Sequence, residues 1–334
     1  MDYGMTASIR TLWQTRASAG EATGSVKVTN LNSVVQAGHD AWGRSNKPQP
    51  VVISVDVALA HPFVLSRQTD DVAADTVHYG LLCKAVLGTL NHMNLRQVGS
   101  ISNPHAGDVP PITLRGVLDR VWVALTGVSV SGLKALPSGE PVRQEDEDEE
   151  GAVNYDGSGV NNGRPFLDLN QIHALTVCIM FPKASLLGSG VSLTAMAVFR
   201  EDAGSYLRQW RVGGSSSVVK TYGVALKIHD MRVPTLIGLN DNERLAKQVV
   251  VTDIQIDKYD EKEDTYTTLE ALVQKAMIES SYGTLEALAS KICSLVKMRF
   301  LPEKAHFYEG TAGWQVKLKL TKPTAVPMAE GASI

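Results

Sequence analysis

The chain has 334 residues, 44% hydrophobic and 20% charged, with a formal net charge of -3. That length leaves room for two cores, and the near-neutral balance leaves no electrostatic footprint for nucleic acid. The three cysteines (Cys83, Cys178, Cys293) stand far apart in apolar segments without CxxC spacing, so reduced core thiols are expected rather than a metal site. No apolar run is long enough to span a bilayer. The start carries Arg10 and Arg16 but no apolar signal core, so a cytoplasmic location is expected, with mitochondrial import as the alternative.

Residues 1–24 read as a flexible tail rich in Gly, Ala, Ser and Thr. Val26 and Val28 open a short strand, and the β-branched run Val51–Val57 predicts a clearer one. A polar loop, Asp70 to Gly80, leads into a helix from Leu81 to Leu90. A proline-bearing loop (Pro104, Pro110, Pro111) then precedes a second helix, Leu114 to Leu125. Between 137 and 165 the chain turns polar, with the acidic run Glu145–Glu150. With no apolar surface to offset its ordering entropy, this segment is expected to be a disordered insertion. Strands follow at Ile172–Met180 and Val191–Phe199, and a Gly- and Ser-rich linker is expected over 201–220.

After the linker the same order returns. Val224–Ile228 and Val249–Ile256 read as strands and Tyr266–Ile278 as a helix. Thr284–Val296 follows as a second helix, capped by short polar residues, with Leu285, Leu288, Ile292 and Leu295 at helical spacing. Trp314–Thr321 alternates as a strand. Setting Tyr79 against Tyr266 aligns Leu82 with Leu269 and Val86 with Val273, and setting Pro182 against Pro323 aligns Ala184 with Ala325. The chain therefore reads as an internal duplication of a β-β-α-α-β unit.

Four stretches carry a family resemblance: Leu236–Leu239 with Asn242-Glu243-Arg244 and Lys247-Gln248, Asp75–Gly80, Thr284–Ala289, and Lys322–Ala325. Together they resemble the dihydroneopterin aldolase family, and two copies in tandem resemble the front part of the fungal multifunctional folate-synthesis proteins. The resemblance implies an α+β tunnelling fold (T-fold). Each of its two units, 25–200 and 221–334, would be an antiparallel four-stranded sheet with two helices, and the units would join edge to edge into a barrel. A homo-oligomer, a dimer or tetramer of chains, is then expected. The last residues, Gly331–Ile334, stand where family members continue the last strand, so an incomplete strand is expected there.

The resemblance further implies a pterin-like substrate, no cofactor and no metal. The reaction would be retro-aldol cleavage of 7,8-dihydroneopterin, with epimerisation as a second activity. Glu286 beside Leu285 would accept the pterin's amide-like edge, and Lys322 and Glu243 would handle protons through a bound water. A tyrosine, Tyr79 or Tyr266, would return a proton, with Val77 and His78 in the tyrosine loop lining the substrate. The first copy departs from the pattern. Leu114-Arg115 stands where the second has Leu285-Glu286, Phe181 stands for Lys322, and no Glu lies between Glu21 and Glu140. Because family sites lie between units, the junction pairing Tyr266 with Arg115 and Phe181 should be dead toward pterins. The live one should pair Tyr79 with Glu243, Glu286 and Lys322. Two other readings stand beside the aldolase: a relative turned to another retro-aldol, isomerisation or cyclisation substrate, and a non-catalytic ring-forming or pterin-binding protein.

Overall fold

The structure, a computed structural model, describes residues 20–22, 24–45, 47–101, 111–132, 165–201, 203, 217–300 and 313–334. The acidic run, nearly all of the N-terminal tail and most of the expected linker lie outside the described residues. The elements are β1 (Ser25–Gln36), β2 (Pro48–Leu59), α1 (Leu65–Thr69), α2 (Tyr79–Ile101), α3 (Leu114–Thr126), β3 (Ile172–Phe181) and β4 (Gly190–Phe199). The order then repeats as β5 (Val219–Thr235), β6 (Gln248–Asp257), α4 (Tyr266–Ile278), α5 (Leu285–Arg299), β7 (Gln315–Lys322) and β8 (Ala332–Ser333). The short helix α1 has no counterpart, and β8 is far shorter than β4. All eight strands form one antiparallel sheet in chain order, β1 through β8, and within one chain this sheet is open. Among the described residues, no helix is long and apolar enough to cross a membrane.

Burial alternates along each strand, because successive side chains point to opposite faces. Val51, Ile53, Val55 and Val57 of β2 and Val250, Ile254 and Ile256 of β6 are buried with the helices' apolar stripes. Those stripes recur every three or four residues: Leu82, Val86 and Leu90 on α2, Leu269, Val273 and Met277 on α4, Leu288, Ile292 and Val296 on α5. Each such side chain contributes about 1.5–3 kcal/mol by leaving water. The opposite strand positions are more polar and carry the ion pairs Lys27–Asp56, Lys227–Asp253 and Lys317–Asp257.

The duplication extends to irregularities. The β1–β2 register slips between Val28 and Leu31, and the β5–β6 register slips between Ile228 and Met231. Each slip holds one residue at positive φ, Asn30 (56°) and Asp230 (51°), the residue types that best tolerate that region. Past each bulge the strand runs to a glycine at positive φ, Gly38 and Gly238. Gln49 and Gln248 then donate to the carbonyls of Ala37 and Ile237.

Three expectations need correction. β1 is not a short strand at Val26–Val28 but runs twelve residues, continuing through the bulge. β5 begins at Val219, inside the segment expected to be linker, because β4 offers a partner along its whole length. α2 continues past Leu90 to Ile101. Its second half is held by Asn94, whose side chain accepts the Gln36 N–H and donates to the Val34 carbonyl.

Candidate active site

The second unit gathers its polar groups where β5, β7 and α5 converge. Beyond β5 the chain turns at Gly238, whose φ of 145° only glycine adopts readily. A Cβ there would stand 2.4 Å from the Glu243 Cβ. The turn enters a short 3-10 helix, Asp241–Arg244, through Asn240. Both the Asn240 backbone N–H (3.1 Å) and its side-chain amide (3.0 Å) donate to Glu243 Oε2. That leaves Oε1 to receive Lys322 Nζ, and the two close into an ion pair. Lys322 ends β7 with its side chain 9% exposed, against 25% for Glu243. The lysine, then the Asn240 N–H, hold the Glu243 carboxyl down to about 2. Arg244 ties this loop to the segment before α5 by donating to the carbonyls of Gly238 (3.2 Å) and Ser281 (3.1 Å).

These groups line an open cleft of about 210 Å³. Ile237, Leu239 and Leu285 give it apolar walls, and Asn240, Glu243 and Lys322 its polar end. Leu285 opens α5 behind the cap Thr284, whose hydroxyl accepts the Ala287 N–H. The Leu285 N–H has no acceptor among the described residues, as expected for a first helical turn. Glu286 follows it and is exposed. Tyr79, His78 and Val77 do not line this cleft. They sit at the start of α2, where His78 Nδ1 accepts the Gly80 N–H and Tyr79 is 69% exposed.

The other tyrosine has a different fate. Tyr266 is 1% exposed, and its hydroxyl accepts the His39 N–H (2.6 Å) while donating to the His39 carbonyl (2.7 Å). Burial raises its phenol well above the usual range. Two residues earlier, Asp264 Oδ1 accepts the Leu114 N–H at 2.9 Å. Burial pushes that carboxyl up to about 6. Phe181 is fully buried beside this point, and Arg115 pairs instead with Asp119 (2.9 Å). Glu270 adds a further tie between the units: its Oε1 accepts the Ser185 hydroxyl and the Leu186 and Leu187 N–H groups. Tyr266 is thus held inside the joint between the two units, so the structure gives it no opening to a substrate.

Phe181 stands structurally where Lys322 stands. Gly190 packs on the Phe181 carbonyl and Pro182 as Gly331 packs on the Lys322 carbonyl and Pro323, so Lys183, two residues further on, does not take the place of Lys322. Sequence reasoning passed over Asn240, Asp264 and Glu270. Asn240 carried a signal, since Asn three residues before Glu is a capping pattern; Asp264 and Glu270 became visible only through their partners across the joint. Among the described residues, no three His, Cys, Asp or Glu side chains cluster so as to hold a metal ion.

Fold and cleft together define an α+β protein with one antiparallel sheet and a Lys–Glu pair at the end of β7. Residues 226–334 match the model of FolB, dihydroneopterin aldolase. A Vibrio cholerae protein described as a FolB dihydroneopterin aldolase is 26% identical over 33% of this chain and 92% of its own, with TM-score 0.27. Escherichia coli dihydroneopterin aldolase, solved in complex with neopterin, is 21% identical over 33% of this chain and 94% of its own, with TM-score 0.27. A urate oxidase mutant from Bacillus sp. TB-90 is 9% identical over 93% of this chain and 98% of its own, with TM-score 0.52. That likeness shows a shared fold across both units. No curated protein matches the chain.

Proposed function

We propose that the chain is a metal-independent aldolase that cleaves the side chain of a 7,8-dihydroneopterin-like pterin at the second unit's cleft. The observation that carries this reading is the Lys322–Glu243 pair at the polar end of an apolar-walled cleft, beside the unsatisfied first turn of α5. A flat heterocycle fits between Leu239 and Leu285. Its carbonyl oxygen would take the Leu285 N–H, and its 2-amino and ring N–H groups would donate to Glu286. The family match over 226–334 and the neopterin complex of the E. coli relative support this substrate class.

In the reaction the 2′-hydroxyl loses its proton as the C1′–C2′ bond breaks. C2′ leaves as the aldehyde carbon of glycolaldehyde, and the bonding pair passes into the ring, which gains a proton at N5. Protonation of C1′ with release of the N5 proton then restores the C6=N5 bond and gives 6-hydroxymethyl-7,8-dihydropterin. Lys322, held charged by Glu243, would position a water that carries these protons and would stabilise the developing charge. Tyr79 of a second copy would protonate C1′, since on its own chain it is exposed and outside the cleft. The units are proposed to span 25–200 and 219–334, with β5 opening the second. The sheet's open edges favour ring closure by a second copy, giving a dimer of chains or its doubled form.

The test is incubation with 7,8-dihydroneopterin, with hydroxymethyl-dihydropterin and glycolaldehyde followed by mass spectrometry. The absence of both product and pterin binding at millimolar substrate overturns the proposal.

A further inference from the structure

The two units place the same elements around two centres of different chemistry. By register and cap geometry, Gly38 answers to Gly238, Thr113 to Thr284, Leu114 to Leu285, Arg115 to Glu286 and Phe181 to Lys322. Tyr79 and Tyr266 both open the first helix of their unit, so Asp264 answers to Val77. At the second centre there is an open cleft, and the Leu285 N–H has no acceptor among the described residues. At the first centre the corresponding N–H, on Leu114, is taken by the Asp264 carboxylate at 2.9 Å. Beside it, Phe181 and Tyr266 leave no room. A Cβ on Gly38 would lie 2.4 Å from the Phe181 ring and 3.1 Å from the Tyr266 hydroxyl.

We propose that Asp264 is a built-in occupant: its carboxylate takes, at the first turn of α3, the place that an acceptor oxygen of a bound ligand takes at the first turn of α5. The joint inside the chain is therefore permanently filled, and each chain offers one ligand site. This rests on the reading of the second-unit cleft as a ligand site. The chemistry favours such a surrogate, because the free N–H groups and dipole of a helix start attract an acceptor or an anion. Burial raises the Asp264 carboxyl, and the Leu114 N–H and then His39 act against that rise. Val77, whose side chain has no acceptor atom, holds the corresponding place in the other tyrosine loop and so leaves Leu285 to a ligand.

Removing the carboxylate should convert the filled position into a site for a small carboxylate. The experiment compares wild type, Asp264→Ala and Asp264→Asn by thermal unfolding in sodium formate against sodium chloride of equal ionic strength. Asn keeps an acceptor oxygen at the same reach and serves as the filled control. For Asp264→Ala alone, formate should raise Tm in step with ln(1 + [formate]/Kd), by roughly 2 °C at ten times its dissociation constant. An equal effect of formate on all three proteins, or none on Asp264→Ala, overturns the proposal. Asp264→Ser, whose side chain is too short to reach Leu114, carries the comparison if the alanine variant does not fold. Calorimetric titration of wild type with neopterin should give one equivalent per chain, and two equivalents overturn the proposal. If neopterin does not bind at all, the reading of the cleft fails while the formate comparison still decides the role of Asp264.

Discussion

Tyr266→Phe separates a tyrosine that holds the molecule together from one that does chemistry. The substitution removes one oxygen and leaves the ring in place. Two hydrogen bonds go with it, the one from the His39 N–H (2.6 Å) and the one to the His39 carbonyl (2.7 Å). A net bond contributes about 1 kcal/mol, and an orphaned buried donor costs about 1–3 kcal/mol. The side chain is 1% exposed, so water cannot readily replace the hydroxyl. A loss of about 1–3 kcal/mol follows, which at a urea m-value near 3 kcal/mol/M lowers the midpoint by roughly 0.3–1 M. Equilibrium urea unfolding with an unchanged slope is the assay, paired with turnover of 7,8-dihydroneopterin under native conditions. Turnover should stay within about twofold of wild type, because in this structure Tyr266 neither lines the cleft nor faces Lys322. An unchanged midpoint together with a large fall in kcat would refute the assignment.

Lys322→Ala should leave pterin affinity nearly intact and lower kcat by about 10²-fold or more, whereas Glu286→Ala should raise KM; steady-state kinetics with direct binding distinguish the two. Gly238→Ala places a methyl 2.4 Å from the Glu243 Cβ at a φ of 145°, so it should cost about 1–3 kcal/mol and separate Glu243 from Lys322, visible as lost turnover and a lower Tm. Glu243 has its carboxyl held down from 4.5 to about 2, so its pairing contribution is complete above 4.5 and is lost only as pH falls through about 2; stability measured against Glu243→Gln should be flat above 4.5. Asp264 has the opposite sign. Its carboxyl is raised from 3.8 to about 6, so the stability gained by binding its proton is complete below 3.8 and is lost as pH rises through about 6. Wild type should therefore gain on Asp264→Asn as pH falls through that window, which urea unfolding at several pH values would read.

The sequence by itself determined the duplication, because equivalent helices must bury equivalent stripes: Leu82 and Val86 against Leu269 and Val273. It also set Phe181 opposite Lys322, since Pro182 and Pro323 anchor the turn after each strand. Local chemistry placed the starts of α3 and α5 to within a residue, because Thr113 and Thr284 accept N–H groups of the turns they begin. The full lengths of β1 and α2 were hidden. The bulge at Asn30 inverts the alternation of β1, and Asn94 reads as a loop residue until β1 supplies its partners. The loop residues Asp75–Gly80 and the partners at each junction already set Tyr79 apart from Tyr266 in the sequence, but only the tertiary structure showed what holds Tyr266. Tyr266 becomes a core residue because the other unit presents the His39 backbone to it, and Asp264 acquires its acceptor role because the helix start at Leu114 lies 150 residues away along the chain. Tyr79 meets no such surface within its own chain and remains in water. Hydrogen bonds between residues so far apart depend on how the units pack, and a residue-by-residue reading has no access to that packing.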